Sequence, residues 1–307
     1  MEASFRRRIV LEGSAAGGVG AALAKALGAP VGARTVERFP DSELHVVVRE
    51  AVAGAEVVLV QSLVAPAAEH LLELTLLADG CRRAGAASAI AVVPYFAYAR
   101  QDRTSAAGEA LGGPCFARLL EDAGVASVVA VDLHAEAAEG WFRVPVRHVT
   151  AMPLLAGQLG PIDPRAVIVS PDLGGAKRAD RLARALQRPL AVAHKVRRSG
   201  SQVTSAGVMG DVRDRPVVLV DDLIATGGTL EAAIAALRRA GCADDVTVAA
   251  THAVLGAQAV DRLAGAGIRR LVCTDSVPPR GELPFPVTVA PLAPLLAEAL
   301  GASQLSR

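Results

Sequence analysis

Short, unbroken apolar runs punctuate the chain: Val-Val-Leu-Val at 57–60, Ala-Ile-Ala-Val-Val at 89–93, Ser-Val-Val-Ala-Val at 127–131, Val-Ile-Val at 167–169, Val-Val-Leu-Val at 217–220, Val-Thr-Val-Ala-Ala at 246–250 and Leu-Val-Cys at 271–273. Between them lie longer Ala/Leu-rich stretches, such as 69–84 and 229–240, with apolar residues spaced i, i+3, i+4. The runs predict strands and the stretches predict helices. Their alternation predicts an α/β protein in which mostly parallel sheets are covered by helices. Residues 291–300 also read as a helix.

The pattern occurs twice. Val-Val-Leu-Val recurs at 57–60 and 217–220, and the helical stretch after each ends in Arg-Arg-Ala-Gly, at 82–85 and 238–241. Val-Pro-Val at 144–146 precedes Pro-Leu-Leu at 153–155, and Phe-Pro-Val at 285–287 precedes Pro-Leu-Leu at 294–296 with the same gap. Three matches in register predict two copies of one α/β domain, 1–149 and 150–290, followed by a helix and tail at 291–307. The copies diverge after the repeated strand, where the first has Gln61-Ser62 and the second Asp221-Asp222. Different tasks for the two halves follow.

Composition agrees with this layout and removes some functions. The 307 residues suffice for two cored domains, and 52% are hydrophobic with only 3% aromatic, as Ala-rich helices and Val-rich strands require. With 32 Lys plus Arg against 31 Asp plus Glu, no global field draws the chain to nucleic acid or an anionic membrane, so any anion site must be local. Cys81, Cys115, Cys242 and Cys273 are scattered, without metal-site or disulfide spacing. Glu12 interrupts the apolar stretch near the N-terminus, which argues against a signal peptide, and no apolar run is long enough for a membrane span. The expected setting is the cytoplasm.

The most informative segment is Val-Val-Leu-Val-Asp-Asp-Leu-Ile-Ala-Thr-Gly-Gly-Thr at 217–229. A buried strand ends in two acids, and a Thr/Gly turn then opens a helix. Ligands of open α/β sheets bind beyond the carboxyl ends of strands. Thr226, Gly227, Gly228 and Thr229 offer unobstructed N–H groups and two hydroxyls at a helix N-terminus, a cradle for a monophosphate. Asp221 and Asp222 are placed to accept hydrogen bonds from vicinal hydroxyls, as on a ribose. The bland alternative is an acidic turn before a capped helix. No G-x-x-x-x-G-K-[ST] occurs, and Gly13, Gly17, Gly18 and Gly20 lack dinucleotide spacing.

This segment resembles the phosphoribosyl-diphosphate loop of phosphoribosyltransferases and phosphoribosyl-diphosphate synthetases. Further segments resemble the synthetases, the ribose-phosphate diphosphokinases, in particular. They are Pro-Tyr-Phe-Ala-Tyr-Ala-Arg-Gln-Asp-Arg at 94–103, Val-Asp-Leu-His-Ala-Glu at 131–136, Ser-Pro-Asp-Leu-Gly-Gly-Ala-Lys-Arg at 170–178 and His-Lys-Val-Arg-Arg-Ser-Gly at 194–200. A weaker match is Arg-Phe-Pro-Asp-Ser-Glu at 38–43. The resemblance implies two phosphoribosyltransferase-like domains. It implies ATP binding by Arg100, Gln101, Asp102, Arg103 and His134, with Phe39 stacking on adenine and Asp41 and Glu43 accepting from it across a subunit boundary. It implies Mg2+ held by His134 and Asp172, and ribose 5-phosphate held by Asp172, Asp221, Asp222 and residues 226–229. Lys195 and Arg197, on a stretch that reads as a mobile flap, are then catalytic together with Arg100. The implied reaction moves the diphosphate of ATP to the anomeric hydroxyl of ribose 5-phosphate, releasing AMP, in a homo-oligomer of at least two copies.

Plainer readings stand beside these. Asp172 alone would serve as a turn or cap residue, His134 as a structural histidine, and the basic loops as solvated surface. Two departures matter: Ser42 stands where the family's adenine loop has Gly, and Ala225 where many members carry Asp. The rival functions are a phosphoribosyltransferase, which needs neither the Arg100 nor the Lys195 segment, and a silent regulatory paralogue, which would be expected to lose the cations or acids present here.

Overall fold

The structure, a computed structural model, describes residues 7–104, 106–134, 136–197 and 203–302, with backbone alone for 136, 195–197, 203–206 and 302. The chain forms two compact units, Met1–Thr150 with Leu292–Arg307, and Ala151–Pro291.

The first unit is built on a five-stranded parallel sheet. Its strands are β1 (Arg8–Glu12), β4 (Glu56–Val60), β5 (Ser88–Val93), β6 (Val125–Val131) and β7 (Val146–Val149), adjacent in that order. Every pairing is parallel. In β4 the run Val57 to Val60 is buried throughout, because helices cover both faces. These include α1 (Val19–Leu27), α2 (Ala67–Arg83) and α3 (Gly112–Asp122). Leu71, Leu74, Leu77, Ala78 and Cys81 form the inward stripe of α2. An antiparallel hairpin, β2 (Arg34–Arg38) and β3 (Leu44–Val48), stands apart from the main sheet and packs on α2.

The second unit has seven strands. β8 (Val167–Ser170), β9 (Leu190–Arg197), β10 (Val203–Met209), β11 (Val217–Leu223), β12 (Val246–His252), β13 (Arg270–Thr274) and β14 (Val287–Ala290) are arranged β10-β9-β8-β11-β12-β13-β14. All pairings are parallel except β9 with β10. The helices are α4 (Met152–Leu159), α5 (Ala176–Leu186), α6 (Gly228–Arg239) and α7 (Ala257–Gly265). Chain order reverses between β8 and β11, so the carboxyl ends of these two strands flank a topological switch point, where open sheets bind ligands.

The duplication is visible in the elements. β4 and β11 carry the repeated Val-Val-Leu-Val, and α2 and α6 the repeated Arg-Arg ending. The hairpin β2–β3 precedes β4 as the hairpin β9–β10 precedes β11, but the second hairpin is part of its sheet. The repeated Pro-Leu-Leu lies in α4 after β7 and in α8 (Ala293–Ala302) after β14. These closing helices trade places. α4 packs on α5 and β12–β14 of the second unit, while α8 packs on α1, β6 and β7 of the first.

Candidate active site

The acid pair ends β11. Asp222 is buried and Asp221 nearly so, and the Asp222 N–H donates to Asp221 Oδ1 at 2.9 Å. Arg178, in the first turn of α5, reaches both acids: its Nη1 lies 3.4 Å from Asp221 Oδ1 and 3.2 Å from Asp222 Oδ1. Burial, followed by the neighbouring Asp222, pushes the Asp221 carboxyl well above the usual carboxylate range, and Arg178 opposes the rise. Such a pair presents oxygen acceptors in a partly dry setting, as recognition of a sugar diol requires.

The chain then turns into α6 through Gly227, at φ 74°. A Cβ there would stand 3.2 Å from the Cα of Ala259, so both backbone sign and space select glycine. Thr226 is exposed, and Gly228 and Thr229 form the first helical positions. The N–H groups of that first turn have no partner within the helix, which gives the turn its affinity for anions.

Asp172 follows β8, beside β11. Its Oδ1 accepts from Gly175 N–H at 2.9 Å and its carbonyl accepts from Ser170 Oγ at 2.6 Å, so it shapes the turn into α5. The backbone of Lys195 and Arg197 lies at the carboxyl end of β9, paired with Ala206 and Val203 of β10. Their side chains, and residues 198–200 of the expected flap, lie outside the described residues. Asp172, Asp221, Asp222 and residues 226–229 thus share one sheet edge with the backbone of Lys195 and Arg197, because β9, β8 and β11 are adjacent and parallel.

The first unit holds the other predicted residues. After β5, Phe96, Ala97 and Ala99 are buried; Phe96 meets Phe142 and Tyr98 meets Phe116 edge to face, with centroids 5.9 and 4.3 Å apart. These anchors present Arg100, Gln101 and Arg103 to solvent and leave Asp102 half-buried. His134 is exposed beyond β6, the strand next to β5. The turn before it is held by His148, whose Nε2 accepts from Leu133 N–H at 2.9 Å.

Phe39, Asp41 and Glu43 form the tip of the β2–β3 hairpin. Phe39, 44% exposed, stacks on His45 with centroids 4.9 Å apart. Ser42 takes φ 77°, the left-handed geometry that glycine adopts readily. Phe39 N–H donates to Glu43 O and Ser42 N–H to Phe39 O, each at 2.9 Å, so the tip closes despite the Ser. Arg178 is the residue that sequence reasoning left without a role; only the adjacency of β8 and β11 puts it on the acids.

Two α/β units, the second with an acid pair and a glycine turn at its switch point, define a two-domain protein of the phosphoribosyltransferase type. The family model for the N-terminal domain of ribose phosphate pyrophosphokinase matches residues 8–124, and that for the phosphoribosyl transferase domain matches 161–265. The ribose-phosphate pyrophosphokinase of Parasynechococcus marenigrum is 40% identical over 299 residues, covering 96% of this chain and 90% of that one. The one from Streptomyces avermitilis is 40% identical over 267 residues, covering 85% and 82%. The crystal structure of phosphoribosylpyrophosphate synthetase from Mycobacterium smegmatis is similar at a TM-score of 0.91 and 36% identity, covering 98% of this chain and all of the other. The chain belongs to the ribose-phosphate pyrophosphokinase family.

Proposed function

We propose that the chain moves the diphosphate of ATP to ribose 5-phosphate. The anomeric oxygen forms a bond to the β-phosphorus, the bond from that phosphorus to the bridging oxygen breaks, AMP departs with that oxygen, and the hydroxyl proton leaves to solvent. The observation that carries the reading is the acid pair gripped by Arg178 immediately before the Gly227 turn, in a chain similar to ribose-phosphate pyrophosphokinases over 96% of its length.

In this reading residues 226–229 hold the 5-phosphate, and Asp221 and Asp222 hold the 2- and 3-hydroxyls. Arg178 keeps the two carboxylates fixed before the sugar arrives. The exposed Arg100, Gln101 and Arg103, with Asp102 and His134, hold ATP on the first unit's strand-end loops. Lys195, Arg197 and Arg100 meet the charge that grows on the transferring group, where positioning and electrostatics supply most of the catalysis. The donor set suits Mg2+, which would be held by His134 and Asp172: one imidazole and one carboxylate are few ligands, and an ion that keeps most of its waters needs no more. Such an ion would supply positive charge against the phosphate oxygens of ATP. Phe39, Asp41 and Glu43 complete the adenine pocket of a neighbouring copy, which makes the working enzyme at least a dimer in the cytoplasm.

Incubation with ATP, Mg2+ and ribose 5-phosphate should yield AMP only when the sugar is present. AMP formation without the sugar, or none with it, sinks the reading. Lys195→Ala should lower kcat at least about 100-fold while ATP binding stays within a few fold; an unchanged kcat removes Lys195 from the mechanism.

A further inference from the structure

The loop from β11 to α6 is anchored by its carbonyls. Leu255 N–H donates to the Ile224 carbonyl at 3.0 Å and Gly256 N–H to the Ala225 carbonyl at 3.1 Å. The next carbonyl, that of Thr226, accepts from Nη1 of Arg262, on α7, at 2.9 Å. In a trans peptide the C=O and the following N–H point to opposite sides. The peptides of this loop are trans. Drawing three successive carbonyls toward residues 255–262 therefore turns the N–H groups of Ala225, Thr226 and Gly227 to the other side.

Two of these anchors are backbone. The third is a side chain, and it holds the peptide most prone to rotate, because Gly227 at φ 74° has no Cβ to resist a flip. A flip of the Thr226–Gly227 peptide would replace a donor by a carbonyl oxygen at the anion's seat. Arg262 is itself braced, with Nε 3.4 Å from Oε2 of Glu231 on α6. A Cβ on Gly228 would stand 3.1 Å from Nη1, so glycine at 228 keeps the guanidinium close to the loop.

We propose that Arg262 is a positioning residue for the anion cradle: by binding the Thr226 carbonyl it fixes the Gly227 N–H toward the 5-phosphate of the substrate. This rests on the ribose 5-phosphate reading above. Its contribution is selective, because the contact orients only the group that meets the sugar's phosphate.

Arg262→Met keeps the aliphatic stem and removes the donors. It should raise KM for ribose 5-phosphate about five- to twentyfold, the loss of one charge-assisted hydrogen bond reduced by partial exposure. KM for ATP and kcat should stay within about twofold. Arg262→Lys should recover part of the loss, since an ammonium can still donate to one carbonyl. Calorimetric titration of ribose 5-phosphate into parent and variant reads the same loss without catalysis. Arg262→Gln, too short to reach Thr226 but polar at the surface, carries the measurement if the Met variant does not fold. A ribose 5-phosphate KM or Kd within twofold of the parent overturns the proposal. So does a parallel rise in both KM values with a fall in kcat, which marks a merely structural arginine. A parent that makes no AMP sinks the proposed reaction instead, and the titration still decides on Arg262.

Discussion

Asp221 is held in an environment that disfavours its charge. Burial and the adjacent Asp222 raise its pKa well above the ordinary aspartate value of 3.8, with Arg178 in opposition. The folded state therefore favours protonated Asp221. That contribution to stability is complete below about 3.8, the unfolded value, and is lost as pH rises through the raised folded one. Above it, the charged group costs stability, a cost tolerated where acceptors must wait for a substrate. Asp221→Asn should raise Tm near neutral pH, with the gain vanishing as pH is lowered toward the unfolded value. The same change should lower kcat/KM for ribose 5-phosphate about 10- to 100-fold, through the lost charged acceptor. Thermal melts at several pH values and steady-state kinetics check both; a Tm unmoved at every pH would show that the strain is absent. At this scale the sequence displayed the acids and the glycine turn, because they are neighbours along the chain. It did not display Arg178, 43 residues from Asp221, or Arg262, 36 from Thr226, because strand adjacency and loop packing bring them in.

Among elements, the long buried strands and the α2 and α6 helices were legible, since unbroken Val runs and i, i+3, i+4 spacing survive in one dimension. The β2–β3 hairpin was legible only through its tip, because its strands are half-exposed and carry mixed residues such as Arg-Thr-Val-Glu-Arg. Ser42 marks where that element carries strain. Its left-handed backbone at φ 77° should make Ser42→Gly stabilising by about 1 kcal/mol, the usual penalty for a side chain there. Denaturant unfolding measures this. A destabilised Gly variant would show that the lost chain entropy or a Ser contact outweighs the strain.

For the molecule as a whole, the consequential feature is the exchange of closing helices. α8 ends the second copy in sequence but belongs to the first unit, with Leu296 and Leu300, and Leu292 just before them, at most 1% exposed. Three fully buried leucines contribute roughly 1.5–3 kcal/mol each, comparable in sum to the whole stability of a domain. A chain ending at Pro291 should therefore melt at least about 10 °C lower in its first transition or accumulate as insoluble protein. A parent-like Tm for the truncated chain would show that α8 is dispensable. The sequence by itself determined the α/β class, the duplication, the Asp-Asp turn and the resemblance that led to the family, because each is written in local period, spacing or motif. Only the tertiary structure decided which unit each closing helix completes, that Ser42 adopts a glycine's backbone, and which arginines hold the acids and the turn. Those depend on contacts between segments far apart in the chain, and no one-dimensional period records them.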